Sequence, residues 1–140
     1  MSPAGYAALF FTVALLVTTA YFLMGGLPLL ILRHDTPLDA RFIRGFFNIY
    51  YRAAFLAATG AAVSYALWGR TPFAMGAAIV VVVIAALRKN LIPAMERLGA
   101  RIQSSDPRAI ESFRKVHSAA LLVNLTQLVV LVWGITKISL

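Results

Sequence analysis

The side chains that interrupt this chain's apolar runs are the ones that could do chemistry. In "FRKVHSAALLVNLTQLVVLVWGI" (Phe113 to Ile135), His117 and Asn124 stand seven residues apart, two turns along one helical face, and Gln127 follows Asn124 at i+3. In "FFNIYYRAAF", Asn48 and Arg52 are i and i+4, with Tyr51 and Phe55 on the same side. A histidine can accept a proton, a guanidinium can stabilise a developing enolate or phenolate, and amides and phenols can orient a ligand. Each group also has a plainer use. Asn and Gln bridge membrane helices for about 0.6 to 2 kcal/mol each, and an arginine near a helix end can extend its head to the lipid headgroups.

Composition decides what kind of element carries these groups. The 140 residues are 61% hydrophobic and only 13% charged, with a mean hydropathy of +0.82. Soluble domains are about half apolar and a quarter charged, so this excess requires the bilayer as a second apolar solvent. The net charge of +8 gathers in two loops and not on one face of a soluble fold, which argues against a nucleic-acid partner. With no cysteine, disulfides, thiolate metal sites and cysteine redox chemistry are excluded.

Four segments reach the length of about 20 apolar residues that a span needs: 6–32, 46–68, 71–87 and 118–138. The first is too long for the apolar core of a removable signal peptide and reads as a retained span. "GRTP" between the second and third makes those two antiparallel neighbours. Arg33, Arg41, Arg44 and Arg52 flank the first loop. Arg88, Lys89, Arg97, Arg101, Arg108, Arg114 and Lys115 flank the third, and the other side has only Arg70 and Lys137. The positive-inside rule then puts both long loops in the cytoplasm and both termini outside. Leu91, Met95, Leu98 and Ile102 in "NLIPAMERLGARI" have helical spacing, which predicts a surface helix within the cytoplasmic stretch 88–117. Asp106 and Pro107 read as an N-cap and first helical residue, from which a helix can continue into span four. The expected fold is an all-α membrane protein, one four-transmembrane-helix bundle over residues 1–140, multi-pass in a bacterial inner membrane.

In such a bundle Asn48, Tyr51, Arg52, Asn90, His117 and Asn124 are the candidate ligand-binding residues, lining a polar pocket near the cytoplasmic face. Spans one and three supply no acid within the membrane, so the carboxylates nearest Arg52 would be Asp35, Asp39 and Glu96 at the rim. The glycines of "MGGLP", and Gly60 with Ala61 and Ala62, allow close helix approach. His34 and His117 are the only histidines and would be the ligands of any haem; no other metal site is apparent, and no Ser-His-Asp arrangement, phosphate loop or metalloprotease motif is present.

The closing segment, with Phe113, His117 and Asn124 as an aromatic, a histidine and an asparagine seven residues on, resembles the last span of a family of small four-span membrane proteins of unknown function. That family includes a human transmembrane protein linked to platinum-drug resistance. The layout is also similar to that of the anthrone-oxygenase-like proteins, where a polar asparagine ends span three, as Asn90 does in "LRKNLIPAMERL". "GGLPLLILRH" looks like the end of the first span of the small membrane protoporphyrinogen oxidase, but span one here has no early histidine and span three no interior lysine.

These readings lead to an accessory or binding protein whose pocket takes a lipid, a quinone-like molecule or a partner helix. The resemblance to anthrone oxygenases implies the alternative of a membrane oxygenase or oxidoreductase acting on a lipophilic aromatic substrate, with His117 as proton acceptor and Arg52 as electrostatic partner. A haem-binding protein, and a transporter built from several copies or within a larger membrane complex, complete the alternatives. The residues assign no catalytic group, cofactor or substrate.

Overall fold

The computed structural model describes residues 1–31 and 33–138, so the last residue of the expected first span lies outside the described residues. It contains four helices, α1 (Pro3–Leu29), α2 (Pro37–Leu67), α3 (Thr71–Gln103) and α4 (Pro107–Thr136). Neighbours in the chain are neighbours in space, and α4 closes against α1. Three of the four, α1, α3 and α4, are long and apolar enough to cross a membrane. At 1.5 Å per residue every helix exceeds the roughly 30 Å hydrocarbon layer. What sets α2 apart is Arg52, which leaves only Ala53 to Leu67 free of charge on its apolar end, shorter than the usual range of about 17 to 25 residues.

The helix ends follow local chemistry. Ser2, Thr36 and Asp106 cap α1, α2 and α4 by accepting from backbone N–H groups two or three residues on, each followed by a proline that has no N–H to leave unsatisfied. Gly69, at φ +76°, ends α2: its N–H donates to Ala66 O at 3.1 Å, and that of Arg70 donates to Tyr65 O at 2.9 Å. This pair of hydrogen bonds needs a left-handed residue at the first donor, which glycine supplies without a Cβ clash. Ser105, at φ +64°, plays the same part after α3.

The expected helix in the third loop is present, but it is not a separate element. Residues 88–103 continue α3 without a break, and 107–117 are the first turns of α4. The reason is packing. Met95 and Ile102 on α3 meet Ala40 and Ile43 on α2 and Ala109 and Phe113 on α4, all buried in one cluster, so the apolar face that would have lain on the membrane surface is covered by the extensions of its neighbours. Arg44 and Glu96 close the α2–α3 side of this extension at 3.0 Å.

Each inward face keeps a spacing of three and four. On α1 it runs Gly5, Ala8, Thr12, Leu15, Thr19, Phe22 and Gly26, and on α2 Ile43, Phe47, Tyr50, Ala54, Ala57, Ala61 and Ser64, all buried. That repeat is the one that knobs-into-holes packing uses. Lipid is as apolar as leucine, so within a bilayer the bundle is held by van der Waals fit and hydrogen bonds and not by hydrophobic burial. Phe22 supplies much of the fit. It stacks on Tyr50 with ring centroids 4.0 Å apart and meets Phe47 edge-on at 4.8 Å. Gly26 and Gly60 let α1 come close to its neighbours: a Cβ on Gly26 would lie 2.6 Å from Leu121 Cδ2, and one on Gly60 would lie 2.6 to 2.7 Å from three atoms of the Phe11 ring.

Candidate functional site

The polar residues sort into two places. The first is the bundle core. Asn124, fully buried on α4, accepts from the Tyr50 hydroxyl at 2.7 Å and donates through Nδ2 to Tyr51 Oη at 3.2 Å and Ala120 O at 2.7 Å. One turn on, Gln127 Nε2 donates to Thr19 Oγ1 at 3.2 Å and Tyr50 Oη at 3.3 Å. Helices α1, α2 and α4 thus meet in one polar layer of Thr19, Tyr50, Tyr51, Asn124 and Gln127. A second tie, Thr12 Oγ1 to Tyr65 Oη at 2.9 Å, joins α1 and α2 nearer the termini. An unmet polar group in apolar surroundings is costly, so such groups select the helix register that pairs them.

His117 lies two turns before Asn124, fully buried, with its ring edge-on to Phe47 at 5.1 Å. Its Nε2 is 3.1 Å from Gly26 O and its Nδ1 is 3.1 Å from His34 Nε2. A carbonyl only accepts, so Nε2 carries the proton; in the neutral ring Nδ1 then accepts from His34. Gly26 is in the last turn of α1, where the amide of Leu30 turns to Leu27 O instead, so His117 serves as a side-chain cap for that helix end. His34 reaches it from the α1–α2 connection, fully buried and at φ +60°, a conformation uncommon outside glycine. The pair therefore fastens that connection to α4. The two facing ring nitrogens touch, and the remaining nitrogen of His117 is bound to a backbone carbonyl, so both nitrogens of His117 are engaged within the bundle. Among the described residues no cluster of three or more His, Cys, Asp or Glu could hold a metal.

The second place is a groove on the outer surface between α2 and α3. It has a volume of about 740 Å3 and is lined by Asn48 and Arg52 of α2 and by Arg88 and Lys89 of α3, with Phe55, Leu56, Ile84 and Ile92 among its apolar walls. Arg88 Nε donates to Asn48 Oδ1 at 3.3 Å, which ties the two sides together. Arg52 is exposed and points out of the bundle. The carboxylates named as its nearest partners do not reach it. Glu96 is bound to Arg44, and the other ion pairs among the described residues, Arg101–Asp106 and Lys115–Glu111, lie elsewhere.

The six candidate residues thus do not share one cavity. Tyr51, His117 and Asn124 join the buried layers, Asn48 and Arg52 line the groove, and Asn90, exposed, donates to Ala86 O of its own helix at 2.8 Å. His117 and Arg52 face different surroundings, the first in the buried core and the second in the outer groove. Tyr50, Thr19, Arg88 and Lys89 escaped the sequence reading as site residues. Tyr50 could have been found from the three-and-four spacing of α2, whereas Arg88 and Lys89 stood out only as topology signals. No protein-family model matches this chain, and no curated protein or solved structure matches it either.

Proposed function

We propose that this protein is a four-span inner-membrane binding protein that takes a lipophilic ligand from the bilayer into the α2–α3 groove, near the cytoplasmic face. The supporting observation is the groove itself: about 740 Å3, lined by cationic and amide groups together with aromatic and aliphatic side chains, beside a core in which Tyr50, Tyr51, Asn124, Gln127 and Thr19 hydrogen-bond one another and Gln127 Oε1 is left without a partner among the described residues. A site for a small amphiphile combines apolar walls with a few placed polar groups in this way.

The span count rests on α2. It packs between α1 and α3 and is hydrogen-bonded to α1 at two heights, Thr12 with Tyr65 and Thr19 with Tyr50. If α1 and α3 cross the bilayer, α2 crosses with them. Arg52 then sits about 22 Å along α2 from Leu67, and Arg88 about 26 Å along α3 from Thr71, at 1.5 Å per residue. Both are close to the far boundary of a 30 Å core, where a long cationic side chain reaches the headgroups at low cost. The cations at that end, Arg33 and the helix-borne Arg41, Arg44, Arg97, Arg101, Arg108, Arg114 and Lys115, support a cytoplasmic location for it by the positive-inside rule.

Native mass spectrometry of the full chain, released from membranes in mild detergent, tests the reading. A retained small molecule should be lost from Leu56→Trp, which fills the groove, and kept by Asn124→Ala. Retention unchanged in Leu56→Trp, or lost only when the core layer is altered, would move the site out of the groove.

A further inference from the structure

We infer that the groove recognises an anionic phospholipid whose headgroup carries two or more negative charges; this rests on the groove being the ligand site and adds what selects the ligand. Three cationic side chains, Arg52, Arg88 and Lys89, line one cavity between two helices. None of them belongs to an ion pair among the described residues, where Arg44, Arg101 and Lys115 take the carboxylates of Glu96, Asp106 and Glu111. Arg88 uses Nε on Asn48 and its two terminal nitrogens on no described group, which leaves a planar fork of donors suited to phosphate oxygens.

Charge balance then limits the occupant. A zwitterionic headgroup brings its own ammonium into a cluster that already holds three positive charges and gains little. A single phosphodiester offsets one of the three. A phosphomonoester or a paired-phosphate headgroup offsets two or more, at the bilayer boundary where each cation near an anionic headgroup contributes about 1 kcal/mol, which is about fivefold in affinity. The apolar walls decide between a lipid and a soluble phosphate. Phe55, Leu56, Ile84 and Ile92 line the same groove as the three cations and offer an acyl chain apolar surface that a free phosphate would leave unused.

The test places the full-length protein in phosphatidylcholine nanodiscs doped with phosphatidic acid, diphosphatidylglycerol or phosphatidylglycerol and counts retained lipids by native mass spectrometry. Phosphatidic acid and diphosphatidylglycerol should be retained above phosphatidylglycerol, and all three above phosphatidylcholine. Retention should fall about fivefold for each of Arg52→Gln, Arg88→Gln and Lys89→Gln and stay near the original level in Arg52→Lys. Equal retention of charged and zwitterionic lipids, abolished by Leu56→Trp, would overturn the selectivity and leave the groove as a site. Retention indifferent to Leu56→Trp would overturn both readings. Displacement of the lipid by millimolar glycerol phosphate would overturn the assignment to a lipid.

Discussion

Tyr50 donates a 2.7 Å hydrogen bond to Asn124 at the centre of the bundle, and only two residues further along α2 Arg52 faces outward. Two positions on a helix differ by about 200° around its axis, so neighbouring polar groups serve opposite surroundings. Tyr50 joins α2 to α4, and Arg52 lines the surface groove between α2 and α3.

Asn124→Leu should destabilise the bundle by about 1 to 3 kcal/mol, because it removes the 2.7 Å acceptor of the Tyr50 hydroxyl and the amide that donates to Tyr51 Oη in an apolar core. A cycle with Tyr50→Phe should give a coupling of about 0.6 to 1.7 kcal/mol, the range of interhelical bonds in lipid. Arg52→Leu, which touches no layer, should leave unfolding in mixed micelles within about 0.5 kcal/mol of the unaltered chain.

The close approach at Gly60 should be as sensitive as the hydrogen bonds. Gly60→Ala pushes a methyl into the stiff Phe11 ring and should cost about 1 to 3 kcal/mol. Adding Phe11→Leu should return part of that loss. Thermal unfolding of the single and double variants measures both effects.

Much of this was legible in the residues, and the limits have physical causes. The helical content, the N-cap at Asp106 and the alignment of Leu91, Met95, Leu98 and Ile102 on one apolar face follow from spacing that no tertiary contact overrides. The division of the site does not. Asn48–Arg52 and His117–Asn124 look alike as same-face pairs, and only the buried run Ile43, Phe47, Tyr50, Ala54 assigns the first to the outside. His34 was still less accessible, since its contact with His117 depends on a left-handed turn in a connection. The continuous α3 was hidden because amphipathic spacing alone does not say whether a membrane or another helix covers the apolar face.

The turn between α3 and α4 carries a pH dependence of known sign. Hydrogen bonds from the Arg101 guanidinium, at 2.6 and 3.1 Å, hold the Asp106 carboxyl below its ordinary value, helped by the Arg108 amide. A carboxylate with a lowered folded pKa stabilises in full above the unfolded value of about 3.9 and loses that contribution as pH falls through the folded value. Asp106→Asn keeps a good cap and should flatten this acid limb of the melting curve while leaving activity-independent measures such as helicity at neutral pH unchanged.

The chain has no cysteine, so single thiols report topology directly. Ser104→Cys should react with a membrane-impermeant maleimide only after the cytoplasmic face is opened, and Thr71→Cys should react in intact cells. Labelling of both from one side would remove α3 as a span.

A photoreactive acidic phospholipid, incorporated into membranes that hold the full-length protein, tests the central claim most directly when the labelled peptides are sequenced. Adducts should concentrate at Arg52 to Leu56 and at Ile84 to Pro93, and they should disappear in Leu56→Trp. Adducts centred instead on Phe113 to Gln127, the segment assigned here to holding the helices together, would contradict the account.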